Sequence, residues 1–139
     1  MTTSAKAGLQ IGVGAYITIS RAFRTLATTA RSTARAPAAG QIAIVVHGSS
    51  GSSIAVHALA KGLAARGIDV YAPDIRGHGA SGTRGDIGYI GQLEDDLSDF
   101  VGEIRQSNVN ANAALTLIGH SSGGGFALRV AGSPIQNLF

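Results

Sequence analysis

Ala114-Leu115-Thr116-Leu117-Ile118-Gly119-His120-Ser121-Ser122-Gly123-Gly124-Gly125-Phe126-Ala127-Leu128 is the stretch on which the reading of this chain turns. An apolar run meets Gly-His-Ser-Ser-Gly, and a helix-like segment follows. G-x-S-x-G means little by itself in a chain with 20 glycines. Between a β-like run and a helix it describes a nucleophile elbow, with the serine Oγ raised above the sheet edge. Gly119 and Gly123 leave room for strand and helix to approach closely. Ser121 is the candidate nucleophile. The Ser122 N–H opens the helix and is placed to face a developing oxyanion. The competing reading is a Gly/Ser-rich loop with no chemistry.

Working outward, the pattern before the elbow repeats strand and helix. Gln41 to His47 is a continuous β-branched run, suited to a parallel strand buried on both faces. Gly48 to Ser53 is a turn cluster ending in N-cap residues. Ile54 to Arg66 reads as a helix with Val56, Leu59, Ala60 and Leu63 on one face, and Gly67 ends it. Ile68 to Ala72 is a second strand, and Pro73 to Gly85 a glycine-rich loop. Ile90 to Gln106 carries Leu93, Leu97, Phe100, Val101 and Ile104 at helical spacing. The row Glu94, Asp95, Asp99 and Glu103 on its other face reads as solvated. Ala114 to Ile118 is the third strand, and the helix after Ser121 runs to about Ala131. This alternation predicts an α/β fold: a three-layer α/β/α sandwich on a mostly parallel sheet.

The loops after the three strands fall at one sheet edge, where open α/β sheets bind ligands. They are His47-Gly48-Ser49-Ser50, Asp74-Ile75-Arg76-Gly77-His78-Gly79-Ala80-Ser81, and Gly119 to Gly123. As a set they resemble the α/β-hydrolase family, and within it the monoacylglycerol-lipase and serine-aminopeptidase-like branch. That branch has an HG turn, a D-x-R-G-H-G-x-S loop and G-H-S-x-G in this order. The resemblance spans roughly residues 41–131. It implies Ser121 as nucleophile, with an oxyanion hole from the backbone N–H groups of Ser49 and Ser122. It gives His47, Gly48, Asp74, Arg76, Gly77, His78, Gly79, Gly119 and Gly123 structural roles, with His47 and His78 bonding loop backbone. The implied substrate is a small, lipid-like acyl ester such as a monoacylglycerol or lysophospholipid, and no cofactor or metal is called for.

Of the other histidines, His120 reads as a packing residue and His57 as a surface or half-buried one. None has the position of the general base, which follows the acid in the order Ser, Asp/Glu, His. No Asp, Glu or His follows Ser121, and a serine hydroxyl without a base is a weak nucleophile. The stretch from Arg21 to Ala36 also lacks the pattern of a first hairpin. The expectation is the N-terminal half of a longer hydrolase, truncated after the nucleophile helix or partly out of frame, and inactive alone. The alternative is a non-catalytic fragment serving binding or assembly.

Composition narrows the rest. At 139 residues and 45% apolar, the chain can bury one core. It has no cysteine, so disulfides and cysteine-metal sites are excluded. Residues 1–68 carry seven basic residues and no acid. Residues 69–139 carry four basic residues against eight acids, a net of −4. No basic cluster is interleaved with aromatics, so nucleic-acid binding is not expected. Gly77 to Gly82 matches G-x-G-x-x-G, but Pro73 to Arg76 separate it from the strand, which argues against a dinucleotide site. Residues 1–40 read as an irregular N-terminal extension, with one edge strand at Ala15–Ile19 and a linker from Arg31 to Gly40. Residues 41–139 hold the domain half. Ala7 to Ser20 is too short and broken to span a membrane. The expected localisation is cytoplasmic. Export, with Ala34-Arg35-Ala36 as a cleavage site, and an organelle transit peptide remain alternatives. Ala114–Ile118 is expected at an open sheet edge, where a second copy could pair.

Overall fold

The computed structural model describes residues 16–19, 40–85, 87–107 and 112–139. The linker from Arg31, the cleavage-site residues and the patternless stretch from Arg21 to Ala36 lie outside the described residues. Four strands form one sheet: β1 (Tyr16–Ile19), β2 (Gln41–Val46), β3 (Asp69–Pro73) and β4 (Ala114–Gly119). All pairings are parallel and the order is β1-β3-β2-β4. The edge strand expected at Ala15–Ile19 is β1, with Tyr16 in register with Val70. β2 is central and joined to β4 over its whole length, from Gln41–Ala114 to Val46–Gly119. Its β-branched run is buried on both faces from Ile42 to Val46.

The period of two along β2 divides the core. Ile42, Ile44 and Val46 face α2 (Gln92–Ser107) and α3 (Ser122–Ala131), packing with Leu97, Phe100, Val101, Ile104, Phe126 and Val130. Ala43 and Val45 face α1 (His57–Ala64), with Val70, Ala72, Val56, Ala60 and Ala64. One helix covers one face and two the other, which is the expected three-layer α/β sandwich. The path from β2 goes to β3 on one side and then back across to β4 on the other. The loops after β2 and β4 therefore flank a point where the strand order reverses.

The first helix differs from its expected form. Ser53–Val56 is a turn of 3-10 helix, and α1 begins only at His57. Ser52 makes no side-chain cap. The Ser53 N–H instead donates to Asp74 Oδ1 at 2.6 Å, so the cap comes from a distant loop. Leu59, expected on the buried face, is 45% exposed. The stripe runs through Val56, Ala60 and Ala64, and the two alanines let the helix lie close to the sheet. Gly67, at φ +88°, ends the helix as expected, with its N–H on Ala64 O and that of Ile68 on Leu63 O. α2 starts two residues later than expected, because Gly91 is left-handed at φ +96°. Ile90 is left outside it, almost fully exposed. A 3-10 turn at Pro134–Leu138 places Ile135 and Leu138 against the α2–α3 core. Among the described residues, no helix is long and apolar enough to cross a membrane.

Candidate active site

Ser121 stands between β4 and α3 with φ +56° and ψ −120°. A non-glycine residue in that region carries about 1–3 kcal/mol of strain, which the surroundings must hold. Here hydrogen bonds hold it. The His120 N–H donates to Val46 O and the Gly123 N–H to His120 O, both at 2.9 Å. The Gly124 N–H donates to Ser121 O at 2.9 Å. The two glycines of the motif are sterically required. A Cβ at Gly119 would collide with the backbone of Gly123 and Gly124. A Cβ at Gly123 would stand 2.6 Å from the carbonyl oxygens of both Val46 and His47. The strand-turn-helix motif is thus a tight elbow, with Ser121 exposed at its tip.

The loop after β2 closes on this tip. A Cβ at Gly48 would lie 3.0 Å from Ser121 Cβ, so the turn runs directly beside the serine. The turn is closed by Gly51 N–H to Gly48 O at 3.1 Å, with Ser50 left-handed at φ +57°. Ser49 follows Gly48 in this turn, and Ser122 follows Ser121 at the start of α3. Neither the Ser49 nor the Ser122 N–H donates a hydrogen bond among the described residues.

The third loop is a buttress. His47 is fully buried. Its Nδ1–H donates to Gly48 O at 2.8 Å, and its Nε2 accepts from the Ile75 N–H at 3.2 Å. That pair of contacts assigns a neutral ring with the proton on Nδ1. His78 lies 5.3 Å away, ring centre to ring centre, with Nδ1 on Arg76 O at 3.1 Å. Both histidines bond loop backbone, as expected. Asp74 is buried and accepts two backbone N–H groups, Ser53 on Oδ1 at 2.6 Å and Ala80 on Oδ2 at 3.0 Å. A Cβ at Gly79, where φ is +53°, would run into the Asp74 carboxylate. Gly77, at φ +74°, donates to Ser81 O at 2.8 Å and closes the loop.

Arg76 depends on a residue that the sequence reading did not single out. Its Nε and Nη2 donate to Asp96 Oδ2 and Oδ1, both at 2.6 Å, and Asp96 is buried on α2. A signal was present: Asp96 stands three residues after Leu93 and four before Phe100, at the edge of the apolar stripe. The acids expected to be solvated divide. Asp95 and Asp99 are exposed, whereas Glu94 and Glu103 are half-buried and Glu94 pairs with Arg129 at 2.5 Å. The Asp95 carboxylate accepts the Tyr89 hydroxyl at 2.7 Å and raises the pKa of that phenol above its usual 10.0. His120 is exposed rather than packed, because the elbow commits its backbone and leaves its ring outside. His57 is half-buried at the start of α1, as expected.

The site thus consists of an exposed serine on a strained elbow, the Ser49 and Ser122 amides, and two loops locked behind it. Comparison with protein families matches residues 37–138 to the family described as Serine aminopeptidase, S33. Comparison with curated proteins and with solved structures gives no match.

Proposed function

The chain belongs to the Serine aminopeptidase, S33 family and so to the hydrolases of α/β-hydrolase type; from that premise we propose that Ser121 is the nucleophile of an acyl-transfer site. In this reading the Ser121 Oγ attacks the carbonyl carbon of an ester, and the carbonyl oxygen takes the negative charge. The Ser49 and Ser122 N–H groups stabilise that oxyanion. Collapse expels the alcohol and leaves an acyl-Ser121 ester, which water hydrolyses. The substrate class is a carboxylic ester with a lipid-like acyl chain, of the monoacylglycerol or lysophospholipid kind. The observation that carries this is the φ +56° of Ser121 at the tip of the elbow.

A second reading has one observation in its favour. Among the described residues, no hydrogen bond joins the Ser121 hydroxyl to a histidine or a carboxylate. Such a chain would serve binding or assembly on a hydrolase scaffold. A fluorophosphonate probe separates the two. Slow labelling that maps to Ser121 and disappears in Ser121→Ala supports the nucleophile. Labelling that persists in Ser121→Ala, or maps to another serine, overturns it.

A further inference from the structure

His47 joins two loops through a pair of hydrogen bonds that only one of its protonation states can make. The ring is fully buried between the turn after β2 and the loop after β3. The turn lies so close that a Cβ at Gly51 would stand 3.3 Å from Nδ1. The Nδ1–H donates to Gly48 O at 2.8 Å, and Nε2 accepts from the Ile75 N–H at 3.2 Å. One nitrogen must donate and the other accept, which only the neutral ring can do. In the imidazolium both nitrogens carry hydrogen. The Nε2–H would then face the Ile75 N–H, two donors with no acceptor, on a ring closed to solvent. The charged groups around it offer a cation no compensation. Asp74, in the loop after β3, is committed to the Ser53 and Ala80 amides. Asp96, on α2, is committed to Arg76. The His78 ring, 5.3 Å from His47, would add a second positive charge on protonation. On the elbow side, a Cβ at Gly48 would stand 3.0 Å from Ser121 Cβ and 3.4 Å from His120 Nδ1. His120 is exposed, so its own protonation buries no charge.

We propose that His47 is a positioning residue for Ser121 that works only while neutral, so that acid unlocks the site. As the neutral ring it ties Gly48 to Ile75 and pins the turn that abuts Ser121. On protonation at Nε2 by solvent the Ile75 bond is lost, and the turn and the β3 loop come apart. Return of the proton to solvent restores the bond, so the change is reversible. The sign follows directly: the tie is present at higher pH and is lost as pH falls. A buried donor facing a donor is costlier than a bond merely absent, because neither group regains water. The latch stands on the two hydrogen bonds alone. Its effect on reactivity rests on the reading of Ser121 as an acyl-transfer nucleophile.

The test follows the 139-residue protein by NMR over the range in which imidazoles titrate, about pH 8 to 5. The probes are the His47 ring nitrogens and the Gly48 and Ile75 amides, with fluorophosphonate labelling of Ser121 measured in the same samples. The ring Nε2 and both amides are expected to move together in one reversible step while the shifts of β2 and β4 stay unchanged. Labelling should fall about tenfold over that step, the population effect of losing one buried hydrogen bond. The His47→Gln side chain can still accept the Ile75 N–H but does not titrate, so both the amide step and the fall in labelling should vanish. His120→Gln should keep both. A His47 ring that stays neutral throughout, a step that survives His47→Gln or disappears in His120→Gln, or a step that unfolds the sheet overturns the proposal. If His47→Gln does not fold, the ring nitrogens of the unmutated protein decide alone. A His47 step with constant labelling overturns the effect on Ser121. A His47 step with no labelling at any pH supports the latch and overturns the nucleophile, whereas labelling without a His47 step overturns the latch alone.

Discussion

Gly123→Ala and Gly125→Ala together measure how tightly the elbow is built. Both positions lie in the first half of α3. In an unconstrained helix either change should stabilise by about 0.5–1 kcal/mol, because alanine loses less backbone entropy than glycine. Gly125 is exposed with open space where its Cβ would go, so it should show that gain. Gly123 should reverse the sign. Its Cβ would lie 2.6 Å from Val46 O and His47 O and 3.1 Å from Val46 C, while ordinary contact begins at 3.4 Å. The helix must therefore back away by about 0.8 Å, the difference between 3.4 and 2.6 Å. The atoms it meets are backbone of the central strand and cannot rotate aside. Overpacking of that kind costs about 1–3 kcal/mol, which exceeds the propensity gain. The net expectation is a loss of about 1–2 kcal/mol for Gly123→Ala, and a gap of about 1.5–3 kcal/mol between the two variants. Denaturant unfolding read by circular dichroism gives both numbers, and thermal unfolding should separate the variants by several degrees. Equal stability, or a gain in both, would falsify the close approach of α3 to β2 and with it the elbow geometry.

Other perturbations probe the supports. Arg76→Ala and Asp96→Ala should each destabilise by roughly 1.5–3 kcal/mol, and the double variant by much less than their sum, since both remove one bidentate pair; additive losses would mean the pair is not coupled. Asp74→Ala leaves the Ser53 and Ala80 amides without acceptors and should cost about 2–4 kcal/mol, with faster hydrogen exchange at both; unchanged exchange would refute the tie between the loops. Leu97→Ala, at a fully buried site between α2 and the sheet, should cost about 2–5 kcal/mol, and a loss under half a unit would show that α2 does not seal that face. β4 is an edge strand among the described residues and carries neither a charge nor a proline. We expect self-association through it, which Thr116→Lys should weaken in sedimentation velocity; a strictly monomeric parent at tens of micromolar would refute that.

The sheet and its helices were legible because their signals are periodic. The β-branched run from Ile42 to Val46 announces a doubly buried strand, and the spacing of Leu97, Phe100, Val101 and Ile104 announces α2. Boundaries were less legible where a distant residue sets them. Nothing near Ser53 reveals that Asp74, 21 residues on, supplies its cap. Leu59 is the stronger hydrophobe of the two, and its exposure beside the buried Ala60 depends on how closely α1 approaches the sheet. The elbow was readable because G-x-S-x-G sits in a strand-turn-helix frame. Asp96 was harder to read: its place beside the apolar stripe of α2 is a signal, but its partner Arg76 lies on another element. The left-handed backbone at Ser50, Gly77, Gly79 and Gly82 was equally hidden, because residue type permits a positive φ without dictating it.

The three loops are joined by a logic that explains why these residue types occur together. A strained serine keeps its φ only if the elements on both sides of it are fixed. β4 and α3 are fixed to β2 by backbone hydrogen bonds through Val46 and by the missing side chain at Gly123. The β2 loop is fixed by His47, whose two ring nitrogens join Gly48 to Ile75. The Ile75 loop is fixed by Asp74 to the first turn after β2, and by Arg76 to α2. His47 and Asp74 both tie the loop after β3 to the segment after β2, and Arg76 ties it to α2. Hydrophobic packing could not do this at a solvent-exposed edge, because it needs burial on all sides, whereas directional bonds to backbone work at a rim. The consequence is that changes at His47, Asp74 or Asp96 should alter Ser121 reactivity without touching it. Probe labelling rates should then fall in proportion to how far each change loosens the Gly48 turn.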